Sequence, residues 1–231
     1  MLSREQCVVV IPCLNEAATI GPLVQQVRDF LPHVLVVDDG SRDDTVAQAE
    51  AAGARVLRHR QTEGKGAALT TGFRAAVDAQ FAWALAMDGD GQHSPADIPK
   101  FLELAGREHA GMIVGNRMTA AHRMPWLRRQ VNRWLTHLIS NLAGCPLADS
   151  QCGFRLLDLS VWVGLPMASR HFEIESELLV QFARAGQAIR FVPIKVIYKE
   201  EQSKIHPVRD TLRWWRWWWL TKQAVRRSGR K

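Results

Sequence analysis

The sequence predicts an α/β fold: a mainly parallel, twisted sheet flanked by helices, followed by a C-terminal amphipathic helix. Between residues 7 and 108, short apolar runs alternate with longer segments of helical periodicity. The connections between them are short, which favours parallel strands joined by right-handed crossovers. With 231 residues, 47% hydrophobic and 23% charged, the chain has the size and composition of a globular protein with a buried core.

The first four predicted strands are apolar runs that end near proline, glycine or acidic residues. Their predicted bounds are 7–11, 34–37, 55–57 and 81–87. Helices are predicted between them at about 16–30, from Ser41 or Asp43 to Ala52, and at 64–79. Asn15 is a candidate N-cap of the first helix, and Gly53 is expected to end the second.

The second half of the chain continues the alternation less regularly. A helix is predicted from Ser94 or Asp97 to about Glu108, and a strand at 112–114. Further helices are predicted at 127–143 and 172–185. The last predicted strand spans 189–198, where Pro193 favours a sheet edge or a bulge.

Two carboxylates one residue apart, Asp88 and Asp90, follow the fourth predicted strand. This position is the carboxyl end of a strand, where open α/β sheets bind their ligands. Together with the amide oxygen of Gln92 they form a set of hard oxygen donors, which suits Mg²⁺ or Mn²⁺ held jointly with substrate phosphates. Taken alone, an Asp-Gly turn explains the same residues equally well.

Two further loops, 12–16 and 38–41, are expected at the same edge of the sheet. In them, the carboxylates of Glu16 and Asp39 can accept hydrogen bonds from ribose hydroxyls or from base N–H groups. Lys65, flanked by glycines at a helix start, can face a phosphate. The motifs G-x-x-x-x-G-K-[ST] and G-x-G-x-x-G are absent, which disfavours an ATPase and a Rossmann dehydrogenase.

The segment 109–148 has no acidic residue but five arginines: Arg117, Arg123, Arg128, Arg129 and Arg133. Because the guanidinium fork matches phosphate geometry, one interpretation is a cradle for an anionic acceptor. The other is a solvated basic helix face. Asp149, directly after this segment, is the candidate general base if the acceptor is a hydroxyl.

Basic charge is concentrated at the C-terminus, which divides the chain into a domain at 1–205 and a tail at 206–231. The net charge is +7, and nine of the 30 Lys and Arg but only one of the 23 acidic residues lie from Lys204 onward. Five of the nine tryptophans are also in the tail. We interpret it as an amphipathic helix on an anionic membrane surface, with a helix packed on the domain or a dimer contact as alternatives. Nucleic acid is not expected as a partner, because the rest of the chain is nearly neutral.

Three features that the sequence lacks bear on the cellular location of the protein. No stretch approaches the roughly 20 apolar residues of a membrane span, and no signal peptide is recognised. The four cysteines lack zinc-site spacing and are expected to be reduced core thiols. These features predict a cytoplasmic protein peripherally associated with the inner face of the membrane, and they leave the oligomeric state open, a homo-oligomer included.

Seven short motifs occur in the order seen in family 2 glycosyltransferases, and the chain resembles that family from residue 7 to about 210. The motifs are Ile11-Pro12-Cys13-Leu14-Asn15-Glu16, Asp38-Asp39-Gly40-Ser41, Gly64-Lys65-Gly66, Asp88-Gly89-Asp90-Gly91-Gln92-His93, Gly115-Asn116-Arg117, Gln151-Cys152-Gly153-Phe154-Arg155 and Ser203-Lys204-Ile205. The chain is most similar to the polyprenyl-phosphate sugar transferases of the dolichol-phosphate mannosyltransferase type.

The resemblance implies a GT-A fold, a GDP- or UDP-sugar donor, a divalent metal and inversion at the anomeric carbon. The implied metal and diphosphate ligands are Asp88, Asp90 and Gln92. The implied nucleoside contacts are Pro12, Glu16 and Asp39. Asn15, beside Glu16, and Lys65, facing the phosphates, are the other candidates for binding the donor. Arg117, with Arg128 or Arg129, is implied to hold the acceptor phosphate, and Ser203 and Lys204 to close over the donor phosphates.

The expected function is therefore that of an inverting, metal-dependent hexosyltransferase acting on a dolichyl- or undecaprenyl-type phosphate, with Asp90, Arg117 and Asp149 as catalytic candidates. One alternative is transfer to a hydroxyl acceptor in cell-surface polysaccharide or glycolipid synthesis. Another is a non-catalytic membrane-surface binding module. A sugar-1-phosphate nucleotidyltransferase is disfavoured, because the loop 12–16 lacks the glycine-rich basic sequence such an enzyme needs. Many family members carry membrane-spanning helices after the catalytic domain, where this chain has the Trp- and Arg-rich tail.

Overall fold

A computed structural model describes residues 2–119, 124–195, 197 and 207–228 of the protein. Its centre is a seven-stranded sheet, which confirms the predicted α/β class. The strands are β1 Cys7–Cys13, β2 His33–Asp38, β3 Arg55–Arg58, β4 Trp83–Ala86, β5 Met112–Asn116, β6 Arg155–Asp158 and β7 Ile189–Pro193. The predicted bounds agree best for β3, which is one residue longer than predicted, whereas β1 and β2 are each two residues longer.

The strand order across the sheet is β3-β2-β1-β4-β6-β5-β7. All neighbouring pairs are parallel except those of β6, which is antiparallel to both β4 and β5. The sequence did not predict β6, because the charged Arg155 and Asp158 leave an apolar run of only two residues between them. Leu156 and Leu157 are nonetheless fully buried in the core.

Eight helices connect or flank these strands in the described part of the chain. They are α1 Ala17–Arg28, α2 Thr45–Ala51, α3 Lys65–Asp78, α4 Ile98–Arg107, α5 Trp126–Ala143, α6 Leu159–Trp162, α7 Ile174–Arg184 and α8 Pro207–Ser228. The prediction that Asn15 caps α1 is wrong, since Glu16 occupies the N-cap position. Asn15 has a φ of 53° and its Oδ1 accepts a hydrogen bond from the Arg42 N–H (2.9 Å), so its side chain ties two loops together instead.

The carboxyl ends of β1, β2 and β4 lie at one edge of the sheet because these strands are parallel. At that edge Cys13 pairs with Asp38, and the Asp39 N–H donates to the Cys13 carbonyl (2.8 Å). Behind the edge, α3 lies close to the sheet at Gly72, where a Cβ would stand 2.4 Å from Val10 Cγ1. The buried strands thus give the loops above them a rigid base.

The C-terminal helix α8 packs on the domain through one of its tryptophans. Trp214 is 9% exposed, and its Nε1 donates to Ser176 Oγ of α7 (3.1 Å). On another side of α8, Leu212 and Trp219 are 65% and 57% exposed. The alternative of a helix packed on the domain is therefore confirmed for the side of α8 that carries Trp214, whereas contact with a membrane stays a prediction for the exposed side. No helix in the described ranges combines the length and apolar character that crossing a membrane requires.

Candidate active site

Asp88 leaves β4 at the sheet edge and meets a lysine. Lys65 Nζ lies 2.6 Å from Asp88 Oδ1 and 2.5 Å from Glu175 Oε1. Burial disfavours the charged ammonium group, but the two carboxylates outweigh it and raise the pKa of Lys65. Burial likewise disfavours the Asp88 carboxylate, yet Lys65 and His93 together lower its pKa. Lys65, which the sequence placed towards a donor phosphate, thus forms a charged cluster with two acids.

Asp90 is half-buried at the turn that follows. Its Oδ1 accepts a hydrogen bond from the Gln92 N–H (2.9 Å), and the Gln92 carbonyl accepts one from the Ile197 N–H (2.9 Å). Gly89 fits this turn against β1, since a Cβ there would lie 2.6 Å from Cys13 Sγ. The turn therefore fixes the carboxylate of Asp90 above the sheet edge.

The oxygen donors at this edge fit a divalent cation shared with a diphosphate. Within the described ranges, no three His, Cys, Asp or Glu side chains are grouped as a complete metal site. Gly153 packs directly against Asp88, because a Cβ at that position would lie 2.6 Å from Asp88 Oδ2. A cation at Asp88, Asp90 and the Gln92 amide would complete its coordination with phosphate oxygens and water, as Mg²⁺ commonly does.

The loops after β1, β2 and β4 are hydrogen-bonded to one another, as expected from their position. The Asn15 N–H donates to Ser41 Oγ (2.8 Å), and Glu16 accepts from Thr19 Oγ1 at its Oε2 (3.2 Å). The same Thr19 hydroxyl donates to the Gly89 carbonyl (2.8 Å). Pro12, half-buried in β1, pairs with Val37 of β2 beneath these loops.

Asp39 is buried and holds the loop that leads to Lys65. Its Oδ1 contacts His59 Nδ1 (2.7 Å) and accepts from the Glu63 N–H (2.9 Å). Its Oδ2 accepts from the Gly64 N–H (2.8 Å). Asp39 is 4% exposed and both of its carboxylate oxygens are engaged, so these contacts set the conformation of the loop.

Arg117 and Asp149 form a buried bidentate ion pair. Arg117 Nε lies 2.8 Å from Asp149 Oδ2, and Nη2 lies 2.9 Å from Oδ1. Asp149 is fully buried and also accepts from Asn132 Nδ2 (3.1 Å) and the Gln151 N–H (3.0 Å). Burial alone would raise the pKa of Asp149, but Arg117 and the other donors lower it. Both carboxylate oxygens are thus engaged in orienting Arg117.

The other predicted acceptor residues lie in the first turns of α5. Arg128 is exposed, whereas Arg129 is half-buried and its Nε is buried without a hydrogen-bond partner among the described residues. Ser203 and Lys204, predicted to close over the donor, lie outside the described residues, as does Arg123.

Sequence reasoning missed two residues of this site, Glu175 and Arg155. In the sequence, Glu175 is one of three acids near the start of the helix predicted at 172–185, and a favourable interaction with the helix dipole is enough to explain it. Arg155 is 1% exposed and donates to the carbonyls of Cys152 (2.6 Å), Ser150 (2.9 Å) and Glu175. The available signal was the charged Arg155 directly before the apolar Leu156 and Leu157, since buried charges require partners.

Buried thiols lie close to the site. Burial raises the pKa of Cys152 to about 12, so this thiol stays protonated at neutral pH. Cys7 and Cys13 are buried free thiols as well, as expected, whereas the expectation of a core position is wrong for Cys145, which is half-buried.

Comparison with known proteins identifies relatives in both sequence and structure. The family model described as glycosyl transferase family 2 matches residues 8–162. Glycosyltransferase AglJ of Haloferax volcanii is 30% identical over 87% of this chain and 67% of its own length. The UDP-N-acetylglucosamine–dolichyl-phosphate N-acetylglucosaminyltransferase of Methanococcus voltae is 28% identical over 83% of this chain and 85% of its own length. The undecaprenyl-phosphate mannosyltransferase of Micrococcus luteus is 28% identical over 83% of this chain and 83% of its own length.

Among solved structures, glucosyl-3-phosphoglycerate synthase from Mycobacterium tuberculosis in complex with UDP matches with a TM-score of 0.69 and 26% identity, over 86% of this chain and 73% of that one. The same enzyme in complex with Mn²⁺, UDP-glucose and phosphoglyceric acid gives a TM-score of 0.68 and 25% identity, over 85% of this chain and 72% of that one. These neighbours confirm the predicted GT-A fold. We call the sheet edge that carries Glu16, Asp39, Asp88 and Asp90 the acidic edge. The family match spans most of the sheet and all three loops of this edge. The chain therefore belongs to glycosyltransferase family 2 and is a glycosyltransferase.

Proposed function

We propose that the protein transfers a sugar, with inversion, from a nucleoside-diphosphate sugar to a polyprenyl phosphate at the cytoplasmic face of a membrane. The observation that carries the proposal is the turn 149–155, which contacts both sides of the site. At one end Asp149 holds Arg117, and near the middle Gly153 lies against the carboxylate of Asp88. A single rigid turn therefore sets an arginine beside the acidic edge of the sheet.

The donor side of this site is formed by the loops at the ends of β1, β2 and β4. Pro12, Asn15, Glu16 and Asp39 line the nucleoside position, and Lys65 with Asp88 lies where the diphosphate would enter. Ser203 and Lys204 are assigned to the donor phosphates from the family resemblance. Asp88, Asp90 and Gln92 would hold Mg²⁺ or Mn²⁺, which when bound offsets the charge of the departing nucleoside diphosphate.

The acceptor side is organised by Arg117. Its Nε and Nη2 bind Asp149, which fixes the plane of the guanidinium group. Among the described residues none forms a hydrogen bond with Nη1, which we assign to the acceptor anion. Arg128 or Arg129 supplies a second positive charge from α5. Holding two anions in line lowers the barrier by positioning and by charge stabilisation.

The contacts of Asp149 favour a phosphate acceptor over a hydroxyl. A hydroxyl needs a base, and the lowered pKa of Asp149 and the five hydrogen bonds that it accepts from three residues make this carboxylate a poor proton acceptor. A lipid phosphate is already ionised at neutral pH and needs none. Asp149 is therefore a positioning residue for Arg117 in this proposal.

The polyprenyl acceptor implies contact with a membrane, and the chain has a surface suited to it. We call it the α5–α8 face: Trp126, Leu127, Val131 and Trp134 on α5, with Val208, Leu212, Trp215 and Trp219 on α8. These side chains are between 37% and 74% exposed, and the Trp134 and Trp215 rings, 5.5 Å apart, join the two helices. Exposed basic residues on the same helices, among them Arg128, Arg133 and Arg216, match anionic headgroups.

The test is a transfer assay in two stages. UDP- and GDP-sugars are first screened for thermal stabilisation that depends on Mn²⁺, and the stabilising donor is then offered with a polyprenyl phosphate in anionic vesicles. Sugar-linked polyprenyl phosphate of inverted anomeric configuration is the expected product. Transfer to a polyprenol or saccharide hydroxyl, with none to the lipid phosphate, would contradict the proposal.

A further inference from the structure

The cluster of Lys65, Asp88 and Glu175 has more negative than positive charge. Its side chains are only 15%, 25% and 12% exposed, and the lysine Nζ is within 2.6 Å of an oxygen of each acid. Two carboxylates brought this close would repel each other strongly without the ammonium group. The lysine thus acts as an internal cation for the acidic edge.

Both ends of this cluster are fixed by main-chain hydrogen bonds. The Ala67 N–H donates to the Arg170 carbonyl (3.0 Å), which attaches the start of α3 to the segment before α7. Gly66 allows this approach, since a Cβ there would lie 2.5 Å from the Ser169 carbonyl oxygen. On the other side, Arg155 binds the main-chain carbonyl of Glu175. The backbone positions of Lys65 and Glu175 are therefore set independently of the bridge between their side chains.

A divalent cation at Asp88 competes with Lys65 for the same carboxylate, whose Oδ1 lies 2.6 Å from the lysine Nζ. Two positive charges in contact with one carboxylate repel each other. If Asp88 were the only partner of the ammonium group, its release would leave a buried charge unpaired, which is strongly unfavourable. Glu175 removes that penalty, because it offers the lysine a second carboxylate already in contact.

From these contacts we infer that Glu175 is a positioning residue that receives Lys65 when a divalent cation binds at Asp88, so that metal binding moves the ammonium group from Asp88 to Glu175 and frees it to face the donor diphosphate. The inference rests on the proposed metal-dependent function and deepens it. It assigns a role to an acid of α7 that lies 110 positions from Lys65 along the chain.

The inference is tested by titrating Mn²⁺ calorimetrically into the protein with UDP or GDP present, whichever stabilises the wild type. Glu175→Gln should weaken Mn²⁺ binding about tenfold, as expected for the loss of one charge-assisted hydrogen bond. Glu173→Gln, which removes the same charge two residues away at the start of the same helix, should change it less than about twofold. Equal effects of the two variants would overturn the inference.

A double-mutant cycle separates action through Lys65 from a general charge effect. In a Lys65→Met background, Glu175→Gln should no longer weaken Mn²⁺ binding, because no ammonium group remains to be relocated. An unchanged tenfold loss in that background would overturn the inference. Loss of sugar transfer with this pattern intact would instead count against the proposed acceptor alone.

A crystal structure of the wild type with Mn²⁺ and the nucleoside diphosphate provides a measurement that does not depend on any variant folding. Lys65 Nζ within hydrogen-bond distance of Glu175 and beyond that distance from Asp88 is the expected arrangement. Lys65 remaining on Asp88 Oδ1 with the metal bound would overturn the inference, and so would failure of the wild type to bind Mn²⁺.

Discussion

Gly153 lies directly against the carboxylate of Asp88: a Cβ at residue 153 would stand 2.6 Å from Oδ2 and 2.9 Å from Oδ1. Only a hydrogen atom fits between the turn 149–155 and the end of β4 without displacing that carboxylate. The turn that holds Arg117 and the acid proposed to bind metal are therefore in contact through a position without a side chain.

Gly153→Ala should lower turnover by at least tenfold and raise the Mn²⁺ concentration needed for half-maximal activity, because the new methyl group displaces Asp88. Kinetic titration with Mn²⁺ measures both effects. Gly164→Ala is the matched control, since its Cβ would meet nothing nearer than the Val161 carbonyl oxygen at 3.6 Å. A Gly153→Ala enzyme with wild-type metal dependence would contradict the assigned position of Asp88.

Asp90→Asn should abolish Mn²⁺-dependent turnover while leaving the free energy of unfolding nearly unchanged. The half-buried carboxylate makes one described hydrogen bond, to the Gln92 N–H, and an amide oxygen can accept the same bond. Activity assays with and without Mn²⁺, together with urea unfolding, check the two halves of this prediction. Full turnover in the variant would remove Asp90 from the metal site.

Asp149→Asn should destabilise the protein by about 3 kcal/mol, because it leaves the largely buried Arg117 without its carboxylate. It should also raise the KM for the phosphate acceptor more than it lowers kcat, since Arg117 loses its orientation. Urea unfolding and steady-state kinetics measure these effects. Glu103→Gln breaks the exposed Glu103–Arg107 pair on α4 and should cost less than about 1 kcal/mol. A loss confined to kcat would indicate a base.

The stability that Asp149 provides should depend on pH in one direction. Its pKa is lowered in the folded protein, so the carboxylate stabilises the fold above the unfolded pKa of about 3.9. That contribution is lost as the pH falls from about 4 towards the folded pKa. The difference in unfolding free energy between wild type and Asp149→Asn should therefore be largest near neutral pH and shrink below pH 4. A difference that stays constant down to pH 2 would contradict the assigned pKa shift.

Tryptophans on the exposed α5–α8 face and the tryptophan on the buried side of α8 should respond differently to substitution. The Trp134→Ala and Trp219→Ala double variant, on the exposed α5–α8 face, should reduce binding to anionic vesicles about tenfold or more with little change in melting temperature. Trp214→Ala, by contrast, should destabilise the protein by about 3 kcal/mol because this ring is buried against α7. Vesicle flotation and thermal unfolding distinguish the two effects.

The control for vesicle binding is Val163→Ser, which alters an exposed apolar residue after α6 outside the α5–α8 face. It should leave flotation with anionic vesicles unchanged. Unaltered flotation of the Trp134→Ala and Trp219→Ala variant would show that this face does not contact lipid.

The acidic edge could be predicted from the sequence because its residues follow apolar strands, and parallel topology then brings those strand ends together. Asp88, Glu16 and Asp39 needed only local pattern and connectivity to be placed at one edge. Glu175 could not be placed in this way. It reaches Lys65 across the fold from a helix whose position depends on how α7 packs against the rest of the domain.

Tertiary packing, which local pattern does not encode, also explains why the sequence predicted neither β6 nor the orientation of α8. The four residues of β6 have no period of their own, and their pairing with β4 and β5 is a property of the assembled sheet. In α8 the pattern of five tryptophans predicts an amphipathic helix but not which ring faces the domain. Only the contact of Trp214 with Ser176 decides that.

Arg155 joins the turn 149–155 to the start of α7 through the main-chain oxygens of Ser150, Cys152 and Glu175. This link does not depend on which side chains stand at the three positions, since every amino acid supplies the same carbonyl, although the Glu175 carboxylate is still needed for its contact with Lys65. The guanidinium group itself has no such freedom, because a lysine offers one point charge where three separate acceptors must be reached. Replacing side chains in the turn 149–155 or at the start of α7 therefore leaves these two segments joined, provided that Arg155 is kept.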